Sequence, residues 1–117
     1  MKNTVGVAPA ELEDLLLGHH KVEDVAIMSI LDQYSGELSK AFVKLKDDVQ
    51  ADTAVGKELI AFVNEKKVRH KWVKEVEFIP EIPKSASGKI LRRVLRDKEK
   101  SGKDRGVIVR DEAKAKL

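Results

Sequence analysis

The 117-residue sequence has no cysteine, which excludes disulfides, thiolate metal sites and cysteine nucleophiles and says little about compartment. Its three histidines show no third ligand at metal-binding spacing. Aromatic residues are 4% of the chain. None lies between Lys84 and Arg105, so the most basic stretch lacks the stacking groups that single-strand binders interleave with charge. No apolar run approaches the roughly 18 residues of a membrane-spanning helix. The first residues carry no secretory pattern.

What is present fits one ordinary folded domain with one modest core: 42% apolar and 37% charged residues. The net charge of +3 is unevenly spread, with nine Lys/Arg from Lys84 to Arg105 against Asp97, Glu99 and Asp104. This stretch reads either as a solvated helix face and tail or as an edge that faces an anion or acidic partner.

Pro9, followed by Glu11, Glu13 and Asp14, has the signature of a helix start, and Gly18 marks its stop. Residues 22–31 are nearly continuous in apolar and β-branched types, which predicts a strand covered on both faces. A turn cluster at 32–36 and an alternating run at 39–46 predict a second, antiparallel strand. Asp52 or Thr53 caps a helix running to about residue 67, weakened near its beginning by Gly56. Residues 73–79 alternate as a third strand, which Pro80 and Pro83 end. Ser87 is then expected to cap a helix holding Ile90, Leu91, Val94 and Leu95. The order α-β-β-α-β-α predicts an α+β fold: a small three-stranded sheet with helices packed on it. Residues 98–117 read as a charged mobile tail.

The segment Pro83-Lys84-Ser85-Ala86-Ser87-Gly88-Lys89-Ile90-Leu91-Arg92-Arg93 carries the most information. It reads as a polar loop delivering Lys89 to the start of a helix. There a cation opposes the helix dipole at a cost of about 0.3–1 kcal/mol. A residue that breaks a local rule is a candidate for function. The segment is not a phosphate-binding P-loop, because Pro83 stands where the first glycine would be and Ile90 where the hydroxyl residue would be. What remains is a loop of Ser85, Ser87 and Gly88 able to turn backbone N–H groups toward an anion, next to a compact flexible cation.

The segments Val7-Ala8-Pro9-Ala10-Glu11-Leu12-Glu13, Val25-Ala26-Ile27, Ala41-Phe42-Val43, Glu58-Leu59-Ile60-Ala61-Phe62-Val63 and 82–93 occur here in one order. In these the chain resembles the C-terminal domain of the adenylate-forming acyl- and aryl-CoA ligases, the superfamily of 4-coumarate:CoA ligases, acyl-CoA synthetases and luciferases. The resemblance covers about residues 5–97. It implies a domain over 7–97, with 1–6 a remnant of the hinge-proximal segment and 98–117 a tail.

In that superfamily a large N-terminal domain binds ATP, Mg²⁺ and a carboxylic acid. The carboxylate attacks the α-phosphate to give acyl-AMP and pyrophosphate, and the CoA thiol then displaces AMP. The small domain is a lid that changes pose between the two steps. The resemblance implies that Lys89 is the adenylation lysine. Lys84, Ser85, Ser87 and Gly88 would be loop and anion-facing support, and no residue a metal ligand. Arg92 and Arg93 would begin a basic helix face. The implied partners are the N-terminal adenylation domain, the acid, ATP and CoA, with no cofactor held tightly by this domain alone.

There are departures. Asn3, Thr4, Val5 and Gly6 replace the Lys-Gly-Phe-Gln-like segment that serves the thioester pose, and the large domain's motifs are absent. The chain therefore reads as an excised domain or a truncated product that should not make thioesters alone. Ala115-Lys116-Leu117 resembles the Ser-Lys-Leu peroxisomal address, which implies an import receptor. The alternative reading is a stand-alone basic module for nucleic acid or an acidic protein. A third is a fragment that complements a separate N-terminal domain in trans.

Overall fold

The computed structural model describes residues 9–32, 36–66, 73–102 and 106–110. Three helices and four strands follow in the order α1 (Pro9–Leu17), β1 (Val22–Asp32), β2 (Gly36–Leu45), α2 (Thr53–Asn64), β3 (Val73–Phe78), α3 (Arg92–Ser101) and β4 (Ile108–Arg110). The strands form one mixed sheet in sequence order. β1 and β2 pair antiparallel, as their short connection requires. β2 and β3 pair parallel, with α2 as the crossover that such a pair needs. β3 and β4 pair antiparallel.

The sheet has two covered faces. On one, Val25 and Ile27 of β1, Ala41 and Val43 of β2, Val76 and Phe78 of β3 and Val109 of β4 meet Leu12 and Leu16 of α1 and Leu59 and Val63 of α2. On the other, Ala26, Met28, Phe42 and Ile79 meet Leu95 of α3 and Ile82 of the loop before it. β1 is thus buried on both sides, as its nearly continuous apolar run predicts.

Asp52 caps α2, its Oδ1 accepting from the Val55 N–H at 2.9 Å, a bond worth about 1 kcal/mol.

The structure corrects three expectations. The sheet has four strands, because Ile108–Arg110, in the stretch read as a charged tail, pairs with β3. Its register sets Val109 against Val76 and turns it into the core between β3 and α2. The third helix begins at Arg92, with Leu91 as an N-cap that makes no side-chain hydrogen bond, so Ser87 does not cap it. Of the four apolar residues expected on it, Ile90 and Leu91 precede it, Leu95 is its buried residue, and Val94 is 48% exposed. The third helix still reaches Ser101, where Gly102 closes it in the left-handed conformation with φ 67°.

Candidate functional site

Lys89 lies at the shoulder of a hairpin, three residues before α3. Lys84 and Ile90 form an isolated antiparallel bridge. The Leu91 N–H donates to the Pro83 carbonyl and the Ser85 N–H to the Lys89 carbonyl, both at 2.9 Å. The Gly88 N–H closes a turn on the Ser85 carbonyl at 2.9 Å. Gly88 has φ 90°, a conformation that side chains resist and that a three-residue hairpin loop uses at its last position. Ser85 Oγ accepts from the Lys89 N–H at 3.3 Å and lies 2.9 Å from Ser87 Oγ.

The N–H groups of Ser85, Gly88 and Lys89 are used inside the hairpin. The α3 terminus, beginning at Arg92, does not put Lys89 at the positive end of the helix dipole. The rule that Lys89 seemed to break is not broken.

The nearby cations have distinct fates. Lys84 Nζ is held by Asp24 Oδ2 at 2.6 Å. Arg92 forks across to α1 and β1. Its Nη1 donates to the Ile27 carbonyl at 2.7 Å and lies 3.0 Å from Glu13 Oε2, and its Nη2 reaches Glu13 Oε1 at 3.4 Å. Glu13, 8% exposed, also accepts the Ile27 N–H at 2.8 Å. Arg92 therefore ties α3 to the interior and does not begin an open basic face. Lys89 is exposed, and its ammonium has no ion pair or hydrogen bond among the described residues. Arg93 and Arg96 are exposed as well.

A second charged group, missed by the sequence reading, sits between the sheet and α3. Lys40 of β2 is wholly buried and surrounded by Glu75 Oε2 at 2.8 Å, Glu77 Oε1 at 2.8 Å and Glu99 Oε1 at 2.5 Å. Phe42 presents its ring 4.8 Å from the ammonium. Arg110 Nε and Lys98 Nζ balance the outer carboxylate oxygens, at 2.6 Å from Glu75 and 3.9 Å from Glu77. Burial alone would lower the Lys40 pKa; the hydrogen bonds from the three glutamates outweigh it and hold the value above that of an ordinary lysine.

His19 is likewise structural. It is buried, with Nε2 3.0 Å from Glu58 Oε2 and Nδ1 accepting the Lys21 N–H. Burial holds its pKa below the ordinary 6.5, against the opposing pull of Glu58. It therefore stays neutral near pH 7 and brings no charge to the end of α1. Among the described residues no group of three potential ligands could hold a metal ion, and no helix is long and apolar enough to cross a membrane. Trp72, His70, Lys71 and Ala115-Lys116-Leu117 lie outside the described residues.

Two open depressions mark the surface. One of about 460 Å³ lies by Lys44, Asp47, Phe78 and Gly106, and one of about 620 Å³ lies by Ile27, Leu31, Arg92 and Arg96. Neither includes a residue of the 84–90 hairpin. Lys89 thus stands on an outward surface without a pocket around it in these two depressions.

The profile of the family described as "AMP-binding enzyme C-terminal domain" matches residues 11–89, so the match ends on Lys89. The chain belongs to this family. It is similar to the 4-coumarate–CoA ligase-like 1 of Arabidopsis thaliana, 45% identical over 92 residues that are 79% of this chain and 16% of that protein. It is also 41% identical over 93 residues to a long-chain-fatty-acid–CoA ligase of Bacillus subtilis (strain 168), covering 80% of this chain and 16% of the relative. Among solved structures, the benzoate CoA ligase of Burkholderia xenovorans LB400 matches with a TM-score of 0.71 and 34% identity over 77% of this chain and 18% of its own. An ATP-bound RpMatB-BxBclM chimera matches with a TM-score of 0.76 and 30% identity, over 80% of this chain and 19% of its own. The chain spans about a sixth of the length of these curated relatives. Membership of the family therefore accounts for the folded unit, while the remainder of the relatives' length has no counterpart in these residues.

Proposed function

We propose that this domain is the mobile lid of an ATP-dependent carboxylic acid:CoA ligase, and that Lys89 is its adenylation lysine. One observation carries the reading. Of the four cations on the 83–93 segment, Lys84 and Arg92 are engaged, Arg93 lies exposed on α3, and Lys89 is exposed on the hydrogen-bonded hairpin itself. An unpaired ammonium on a fixed support is suited to a negative charge that develops elsewhere.

In the first half-reaction a carboxylate oxygen bonds to the α-phosphorus of ATP, the bond to the bridging oxygen breaks, and pyrophosphate departs. Two anions must approach, and Lys89 would offset their repulsion when the lid is closed. In the second half-reaction the CoA thiol adds to the acyl carbon and AMP leaves. ATP supplies the activating adenylyl group, and its pocket would belong to the large N-terminal domain. The described residues offer no ligand cluster for Mg²⁺, which would be held by the large N-terminal domain. Ser85, Ser87 and Gly88 serve by shaping the hairpin. The isolated chain would be inactive. The acid substrate would be chosen by the large domain.

The basic-module alternative is less favoured, because Lys84, Arg92 and Lys98 are committed to internal carboxylates. The peroxisomal reading of Ala115-Lys116-Leu117 is part of the proposal, and a reporter carrying residues 106–117 that stays diffuse would remove it.

The central test is Lys89→Ala in the full-length ligase. Acyl-AMP formation should fall by at least about 100-fold, a loss of the size seen when one stabilising group is removed. Thioester formation from preformed acyl-AMP should persist. Normal adenylation would end the assignment.

A further inference from the structure

β1 is an edge strand, with β2 on one side only. Its outward backbone groups fall at alternate residues. The Val25 N–H donates to Asp24 Oδ1 at 2.9 Å, and the Ile27 N–H donates to Glu13 Oε2. Val25 and Ile27 therefore turn their polar groups away from β2, and side-chain carboxylates occupy them. This covers an exposed edge against pairing with another strand.

The same two carboxylates have a second task. Asp24 holds Lys84, at one foot of the hairpin, and Glu13 holds Arg92, just beyond the other. Arg92 adds a bond of its own to the Ile27 carbonyl. The hairpin is thus stapled to the β1 edge on both sides. One attachment would leave it free to pivot, whereas two fix its direction. Ile82 and Ile90 tuck beneath it against Leu95.

The geometry points to Asp24 and Glu13 as positioning residues for Lys89: by gripping Lys84 and Arg92 at the two feet of the hairpin, they set where the Lys89 ammonium stands when the lid closes. Neither acid touches the reacting atoms. The inference rests on the reading of Lys89 as the adenylation lysine, and adds to it the parts of α1 and β1 that aim it.

The test has two arms. In the 117-residue chain, Asp24→Ala combined with Arg92→Met removes both staples. The Gly88 and Lys89 amides should pass from rigid order parameters near about 0.85 to below about 0.6 by nitrogen-15 relaxation. Amides that stay rigid overturn the inference whatever Lys89 does. In the full-length ligase, the same pair of changes should slow acyl-AMP formation by about 10–100-fold, as expected for a misplaced catalytic group. Thioester formation from preformed acyl-AMP should stay within about two-fold of the parent.

A merely structural role would lower both half-reactions together, and that result overturns the inference, as does no change in either. If the double variant does not fold, the charge swap decides. Lys84→Glu alone should slow adenylation, and Lys84→Glu with Asp24→Lys should recover it; no recovery overturns the inference. Normal adenylation by Lys89→Ala would fail the underlying reading, while the relaxation arm would still report on the staples.

Discussion

The ammonium of Lys40 lies 2.8 Å from Oε1 of Glu77, and neither side chain exposes any surface. The pair sits under α3, where Glu99 completes a ring of three carboxylates around one cation. Glu77 also accepts the Gly106 N–H at 3.3 Å, and Glu75 holds Arg110. One buried cluster therefore joins β2, β3, α3 and β4. This gives a highly charged helix with one buried side chain a reason to stay on the sheet.

Removing one partner of a buried ion pair leaves its counter-charge stranded, at about 3–5 kcal/mol. Lys40→Met should therefore destabilise the domain by about that amount, since three carboxylates would then face one another. Adding Glu77→Leu should recover part of the loss, because an apolar pair of similar volume avoids the desolvation cost. Urea unfolding of the two variants measures both. A loss below about 1 kcal/mol for Lys40→Met would mean that the cluster contributes no more than a surface pair.

The cluster also sets an alkaline limit. Lys40 binds its proton more tightly in the folded state than in the unfolded chain, where the ordinary value of 10.5 applies. The stability from this difference is fully present below that value and is lost as pH rises through the higher folded value. Thermal unfolding should show a steady Tm up to about pH 10 and a fall beyond it. Lys40→Met should flatten that fall. Parallel alkaline slopes in the two proteins would assign the loss to other groups.

The first three strands and first two helices could be read locally because their signals are local: Pro9 with the acids after it, the nearly continuous apolar run of β1, the Asp52 cap. The charged cluster could not. Glu75 and Glu77 alternate with Val76 and Phe78 as they would on a half-solvated strand, and Lys40 is 37 residues from Glu77 in sequence. Nothing in a one-dimensional pattern separates a carboxylate facing water from one facing a buried lysine. Arg92 is hidden in the same way, its partner Glu13 being 79 residues away. The motif around Lys89 is legible as a special segment, but its placement is not: Lys89 stands on a hydrogen-bonded hairpin stapled at its feet, three residues ahead of the helix whose start it was expected to occupy.

Gly56 changed meaning between sequence and structure. As a sequence feature it only weakens α2, where alanine would be favoured by about 1 kcal/mol. In the fold, a Cβ at residue 56 would lie 2.6 Å from Val109 Cβ and nearer still to its Cγ2. The glycine lets α2 lie against β4, and a second glycine, Gly106, lets the chain entering β4 pass close to the Phe78 carbonyl. Overpacking a tight contact costs about 1–3 kcal/mol, which outweighs the helix-propensity gain. Gly56→Ala should therefore be net destabilising. The amides of 108–110 should lose hydrogen-exchange protection before those of β1 and β2, because β4 is the element displaced. In a Val109→Gly background the obstruction is gone, and Gly56→Ala should become neutral or stabilising. A stabilising Gly56→Ala in the unaltered chain would show that β4 does not press on α2 as described.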